Sequence, residues 1–259
     1  MATIIYPSPI FGPVASRRLG VSLGINLQPA DGKLCTFDCI YCECGLNADH
    51  RPRLPRPKRT EVAEQLQRVL EERLQRQLPL DDICFAGNGE PTAHPDFEQI
   101  VDDTVALRDR YFPRATVSVL SNATMLGKES VCRALMKVDN NMLKLDTVDA
   151  DYIRRVNQPV SPHYDVETIV RQMAAFGGRC MVQTLFMKGT AHGVSVDNTS
   201  DHFVLPWLKA LTTIRPQLVT IYTIDRETPL KTLAKATHEE LDRIRDLVLS
   251  EGFPCTVGY

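Results

Sequence analysis

Long hydrophobic runs, a surplus of one charge and evenly spaced cysteines are all missing from this 259-residue chain. Nothing approaches the ~18 consecutive apolar residues that a membrane-spanning helix needs, so no membrane partner is expected. Lys and Arg number 30 against 32 Asp and Glu. A protein whose whole surface binds nucleic acid would carry a far more positive balance. The opening segment MATIIYPSPIFGPVASRRLG is broken by Pro7, Pro9 and Pro13 and has no basic stretch leading into an apolar one. It does not read as a secretory signal. A cytoplasmic location is expected, where thiols stay reduced and clustered cysteines hold metal or do chemistry. Aromatic residues are sparse at 7%, yet hydrophobic residues at 43% and charged residues at 24% are those of an ordinary globule, which excludes disorder and coiled coil. A chain of this length buries roughly 70–75% of its unfolded surface, so its core needs no staples. One domain over residues 1–259 is expected.

Of the eight cysteines, Cys35, Cys39, Cys42 and Cys44 fall within ten residues, and Cys84, Cys132, Cys180 and Cys255 are scattered. The cluster reads CTFDCIYCECG, or Cys35-x3-Cys39-x2-Cys42 with Cys44 just beyond. Thiolates on one short loop select zinc or iron–sulfur centres. Zinc sites pair two knuckles, or one knuckle with downstream histidines. This chain has no second knuckle, and His50 stands alone after the loop. Three close ligands without a fourth suit a four-iron cluster with one iron left open.

Strand-like segments alternate with helical ones. VSLGINL, DDICFAG, ATVSVLS, NMLKLDT, RCMVQTLFMKG and QLVTIYTID read as strands. Between them, a helix capped by Thr60 and others over DFEQIVDDTVALRDRYF, GKESVCRALMK, HYDVETIVRQMAAFGG, FVLPWLKALTTI and THEELDRIRDLVLSEGF show helical spacing. This order predicts an α/β fold with parallel strands, an open partial TIM-type (β/α)6 barrel. Sites in such barrels lie at the carboxyl ends of the strands.

Cys-x3-Cys-x-aromatic-Cys, with Tyr41 at the aromatic position, resembles the signature of the radical S-adenosylmethionine (AdoMet) enzymes. The resemblance implies a [4Fe-4S] cluster on Cys35, Cys39 and Cys42, whose open iron takes the methionine end of AdoMet. One-electron reduction then breaks the sulfonium bond, and a 5′-deoxyadenosyl radical abstracts hydrogen. An external one-electron donor, flavodoxin- or ferredoxin-like, is implied as a partner. Gly87-Asn88-Gly89-Glu90-Pro91 is similar to the family's GGE motif, with Asn88 inserted, which makes Gly89 and Glu90 contacts of the methionine amino group. Ser121-Asn122-Ala123 resembles a Ser/Thr-Asn-Gly turn near the ribose, with alanine replacing the glycine. In NMLKLDT, alternation puts Met142, Lys144 and Asp146 on one face. A charged pair there would be expensive in a packed core, so a cavity with a charged ligand is expected. In the activases of the family such residues meet the methionine carboxylate.

Further candidates are Gln183, Tyr222 and Asp225 at later strand ends and Asn157-Gln158-Pro159 at the mouth. Arg17-Arg18 is a candidate anion clamp, whereas Phe11 and Trp207 read as packing residues. The string SPIFGPVASRRLG through CECG, with GNGEPTAHPDF, resembles an iron–sulfur oxidoreductase group related to the wybutosine-synthesising tRNA enzymes. The reaction expected is therefore AdoMet cleavage with hydrogen abstraction from a small molecule, peptide or RNA base. The alternatives are an activase that installs a glycyl radical on a partner protein and a non-catalytic iron–sulfur module. The basic loop RPRLPRPKR, residues 51–59, offers RNA a set of phosphate contacts. Cys44 is expected to be a non-ligand, since a fourth thiolate would leave no iron for AdoMet.

Overall fold

The computed structural model describes residues 3–16 and 19–259, so the Arg17-Arg18 candidate lies outside the described residues. Its elements are β1 (Ile10–Ser16), β2 (Gly20–Ile25), α1 (Arg59–Gln75), β3 (Asp82–Phe85), α2 (Phe97–Tyr111), β4 (Thr116–Ser121), α3 (Glu129–Leu135), β5 (Asn140–Lys144), α4 (Ala150–Val156) and α5 (Val166–Ala174). They continue with β6 (Met181–Leu185), β7 (Met187–Ala191), β8 (Val194–Ser195), α6 (Asp201–Ile214), β9 (Leu218–Tyr222), β10 (Leu233–Lys235), α7 (His238–Ser250) and β11 (Cys255–Gly258).

The larger sheet has the order β1-β2-β3-β4-β5-β6-β9-β11. The strands from β2 to β11 are paired in parallel, and β1 returns antiparallel on β2. The result is a curled open half-barrel with helices on its outside, as the alternation of elements predicts. Six parallel strands are those expected, and the C-terminal β11 adds another beside β9.

Two local expectations need correction. Thr60 lies inside α1, and Lys58 is the N-cap, because the Glu61 carboxylate accepts the Lys58 N–H at 2.7 Å. The segment expected as one strand over 179–189 breaks at Phe186, and β7 joins β8 and β10 in a small antiparallel sheet. The buried Asn198 replaces the interrupted ladder: its Oδ1 accepts from Met187 N at 2.9 Å and its Nδ2 donates to Leu185 O at 2.9 Å.

Alternation along the parallel strands separates two faces. Ile83, Phe85, Val117, Val119, Leu143, Val182, Val219 and Ile221 are completely buried and form the core with Leu66 and Leu70 of α1, Val101 of α2, Leu211 of α6 and Ile244 of α7. The concave face is polar. At its amino end the buried Asp82 carboxylate accepts from Ser22, Thr116 and Ser118, and Asn140 donates on to Ser118. Burial raises the Asp82 pKa, and the three hydroxyls oppose that shift. Phe11 lies across Gly24, where a Cβ would come within 2.1 Å of its ring, and Trp207 is buried with its indole N–H on Leu145 O at 3.0 Å. Both are packing residues, as expected.

Candidate active site

The cysteine loop follows β2 and is held both by backbone bonds and by side-chain packing, with Phe37 edge-on to Tyr164 and Ile40 buried beside Tyr152 and Val156. Leu34 N donates to Asn88 O at 2.9 Å, and Leu34 and Gly89 form an isolated parallel bridge. Gly89 has φ +142°, and a Cβ there would stand 2.1 Å from Leu34 O. Only glycine permits that approach. The inserted Asn88 also has a physical role. Fully buried, it bonds Tyr6 through both amide atoms and donates to Pro29 O, which ties the N-terminal segment to this turn.

Glu90 is buried, and its carboxylate accepts from Thr92 N–H and hydroxyl, Ser121 Oγ and Asn122 N. Burial raises its pKa, and the four donors counter that effect. The structure thus brings Glu90 and Ser121 together as a brace between the ends of β3 and β4. Ala123 follows with φ +66°. The turn demands left-handed backbone, which accounts for glycine in the motif it resembles.

Asn122 reaches the loop directly. Its Nδ2 lies 3.6 Å from Cys35 Sγ and donates to Thr36 Oγ1 at 2.8 Å. Asn157, read from sequence only as part of the mouth, proves central. Its Nδ2 lies 3.7 Å from Cys39 Sγ, 3.0 Å from Tyr41 Oη and 2.8 Å from Asp146 Oδ2. Tyr41 donates its hydroxyl to the same Asp146 oxygen, and Leu185 N donates to the other at 2.9 Å. Asp146 lies two residues beyond the end of β5 yet still meets Lys144, 3.5 Å away. Lys144 Nζ also bonds Tyr222 Oη at 3.0 Å and stands 5.2 Å from the centre of the Tyr41 ring. Burial works against the Lys144 ammonium, but Asp146, Tyr222 and Cys39 outweigh it and raise its pKa. Gln183 Nε2 donates to Tyr222 Oη at 3.0 Å, while the buried Gln183 Oε1 has no partner. An orphaned buried acceptor costs about 1–3 kcal/mol. Asp225 is set apart on the exposed segment after β9, 4.0 Å from Lys235.

Burial raises the Cys35 thiol and pushes Cys39 up to about 11. Cys42 is lowered to about 6, chiefly by the hydrogen bond from Cys44. Cys44 is held as a thiol and donates to Gly87 O at 3.5 Å. Among the described residues no three His, Cys, Asp or Glu side chains are placed to hold a single metal ion. Three free thiols on one loop, with amide N–H groups near two of the sulfurs and an ammonium beneath, fit an iron–sulfur cluster as a donor set. Metal binding must displace the protons of these thiols, a cost that the metal–thiolate bonds offset and that eases as pH rises.

Sequence reasoning missed Lys33, which is 2% exposed and donates to Gly45 O at 2.6 Å from beneath the loop. A lysine before the first cysteine carries no signal of burial by itself. The basic loop packs on the segment leading into the cysteines: Arg53 N and Leu54 N donate to Asp31, and Lys33 N donates to His50 O. No helix among the described residues is long and apolar enough to cross a membrane.

These features agree with comparisons to known proteins. A family model described as the radical SAM superfamily matches residues 31–192. The chain is 30% identical over 237 residues to a UPF0026 protein of Helicobacter pylori strain J99, covering 90% of this chain and 71% of that one. In fold it resembles a radical SAM methyltransferase from Sphaerobacter thermophilus, with a TM-score of 0.64 at 16% identity over 91% of this chain, and spans 65% of that chain. It also resembles TYW1 with a lysine-pyruvate adduct bound, with a TM-score of 0.62 at 16% identity, covering 88% of this chain and 73% of that one. The reading as a non-catalytic electron-transfer module therefore gives way. The matched segment contains the cysteine loop, the Gly89-Glu90 turn and the Lys144–Asp146 pair, and the chain belongs to the radical SAM superfamily, enzymes that use a [4Fe-4S] cluster and AdoMet.

Proposed function

We propose that the chain cleaves AdoMet reductively and directs the resulting radical at a substrate held on the concave face of its half-barrel. Cys35, Cys39 and Cys42 would hold the [4Fe-4S] cluster, which supplies one electron and an open iron for the methionine end of AdoMet. Gly89 supports this by admitting the loop against the sheet end, and the Glu90–Ser121 brace holds the turn beside Asn122. Lys144 offers a half-buried, protonated ammonium for a carboxylate, and Asp146 with Tyr41 fixes its position. Gln183 Oε1 and Tyr222 extend the polar surface towards later strands, where a substrate polar group can bind. The observation that carries this reading is the unbroken chain Cys39–Asn157–Asp146–Lys144–Tyr222–Gln183, which joins the cysteine loop to the concave face.

The test is anaerobic reconstitution, iron counting and 5′-deoxyadenosine release for serine variants of the four clustered cysteines. Serine at Cys35, Cys39 or Cys42 should abolish release. Cys44→Ser should keep a four-iron cluster and cleavage, because its thiol serves Gly87 and Cys42. Loss of the cluster in Cys44→Ser as complete as in the other three would overturn the open-iron assignment.

A further inference from the structure

Lys33 is among the largest completely enclosed side chains in the molecule, although it stands in a loop two residues before Cys35. A buried ammonium needs close partners to offset its lost hydration. Lys33 Nζ has two: Gly45 O at 2.6 Å and Asp38 Oδ1 at 3.2 Å. Gly45 directly follows Cys44, and Asp38 directly precedes Cys39. The charge therefore sits within the arc traced by the cysteine segment.

A structural hook alone does not require a cation here. Asp38 Oδ1 already accepts the Asn47 N–H at 2.7 Å, and a neutral donor could satisfy Gly45 O. We propose that Lys33 is a positioning residue whose fixed positive charge raises the reduction potential of the cluster held by this loop. A nearby cation favours the more negative, reduced state, and Asp38 acts in the opposite direction. The electron comes from the external one-electron donor. The inference rests on the reading that Cys35, Cys39 and Cys42 hold a four-iron cluster.

Lys33→Met and Asp38→Asn test it, measured beside the unsubstituted protein without AdoMet. Iron and sulfide are counted after anaerobic reconstitution, and the midpoint potential is then read by titration followed by electron paramagnetic resonance. Lys33→Met should lower the potential, and Asp38→Asn should raise it while retaining an acceptor for Asn47. Intact clusters with unchanged potentials would overturn the proposal. If Lys33→Met takes up no cluster, the shift in Asp38→Asn decides alone, and its absence is equally fatal. Failure of the unsubstituted protein to bind four irons would instead overturn the cluster reading, and this inference with it.

Discussion

On the helix-facing side of the large sheet, Phe85, Val119, Leu143 and Val182 are completely buried in the hydrophobic core. One residue away along the same strands, Ser118, Lys144 and Gln183 face the concavity and bond one another or nearby polar groups. Parallel sheets covered on both faces read as near-continuous hydrophobic runs. This sheet alternates because one face makes the hydrophobic core and the other carries a hydrogen-bonded polar network. Stability and chemistry are therefore carried by interleaved residues, and substitutions of neighbours should have separable effects.

The largest effect is expected on the helix-facing side. Phe85 is completely buried and packs edge-on against Phe97, with ring centroids 5.8 Å apart. Phe85→Ala should cost about 3–5 kcal/mol, through lost transfer energy and the cavity left behind. Denaturant unfolding followed by circular dichroism checks this. A loss below about 1 kcal/mol would mean that the two faces do not divide labour as argued.

The intermediate effect belongs to the concave face. Lys144→Ala leaves Asp146 with Tyr41, Asn157 and Leu185 N as donors, so fold and cluster absorption should survive. AdoMet affinity should fall by roughly 10- to 100-fold, the worth of one charge-assisted hydrogen bond to a carboxylate. Isothermal titration of the reconstituted protein with AdoMet measures it. Loss of the cluster instead would make the Lys144–Asp146 pair structural.

How much of this was legible in the sequence follows the same division. The half-barrel was readable because the helix-facing residues impose their period on every strand and helix. The cysteine loop and the Gly89-Glu90 turn were readable because few residue types can make them. Lys33 and Asn157 were not, since their importance comes from partners 12 residues away in one case and 118 in the other. Glu90 illustrates a third case: the motif identified the residue, while its bonds to Ser121 and Thr92 show a brace that only coordinates reveal. The break at Phe186 was hidden because Asn198, which replaces the ladder, comes from beyond β8.

The smallest effect is expected on the basic loop, which belongs to neither face. Arg51, Arg53 and Lys58 are exposed and show no ion pair among the described residues, whereas Arg59 is paired with Asp103. Arg56 differs again, being half-buried with Nε on Gln28 at 3.0 Å. Neutralising exposed charges typically changes stability by less than about 0.5 kcal/mol, so Arg51→Gln with Arg53→Gln should melt like the parent. Should the substrate be RNA, the same pair should weaken binding and flatten its salt dependence by about 0.7 in logarithmic slope for each single-strand phosphate that is no longer neutralised. Arg56→Gln should do less to the slope, because that side chain is committed to the segment beneath it. Filter binding of a tRNA mixture across a salt series separates these outcomes. An unchanged slope in the Arg51/Arg53 double variant would remove the loop from any RNA-binding role.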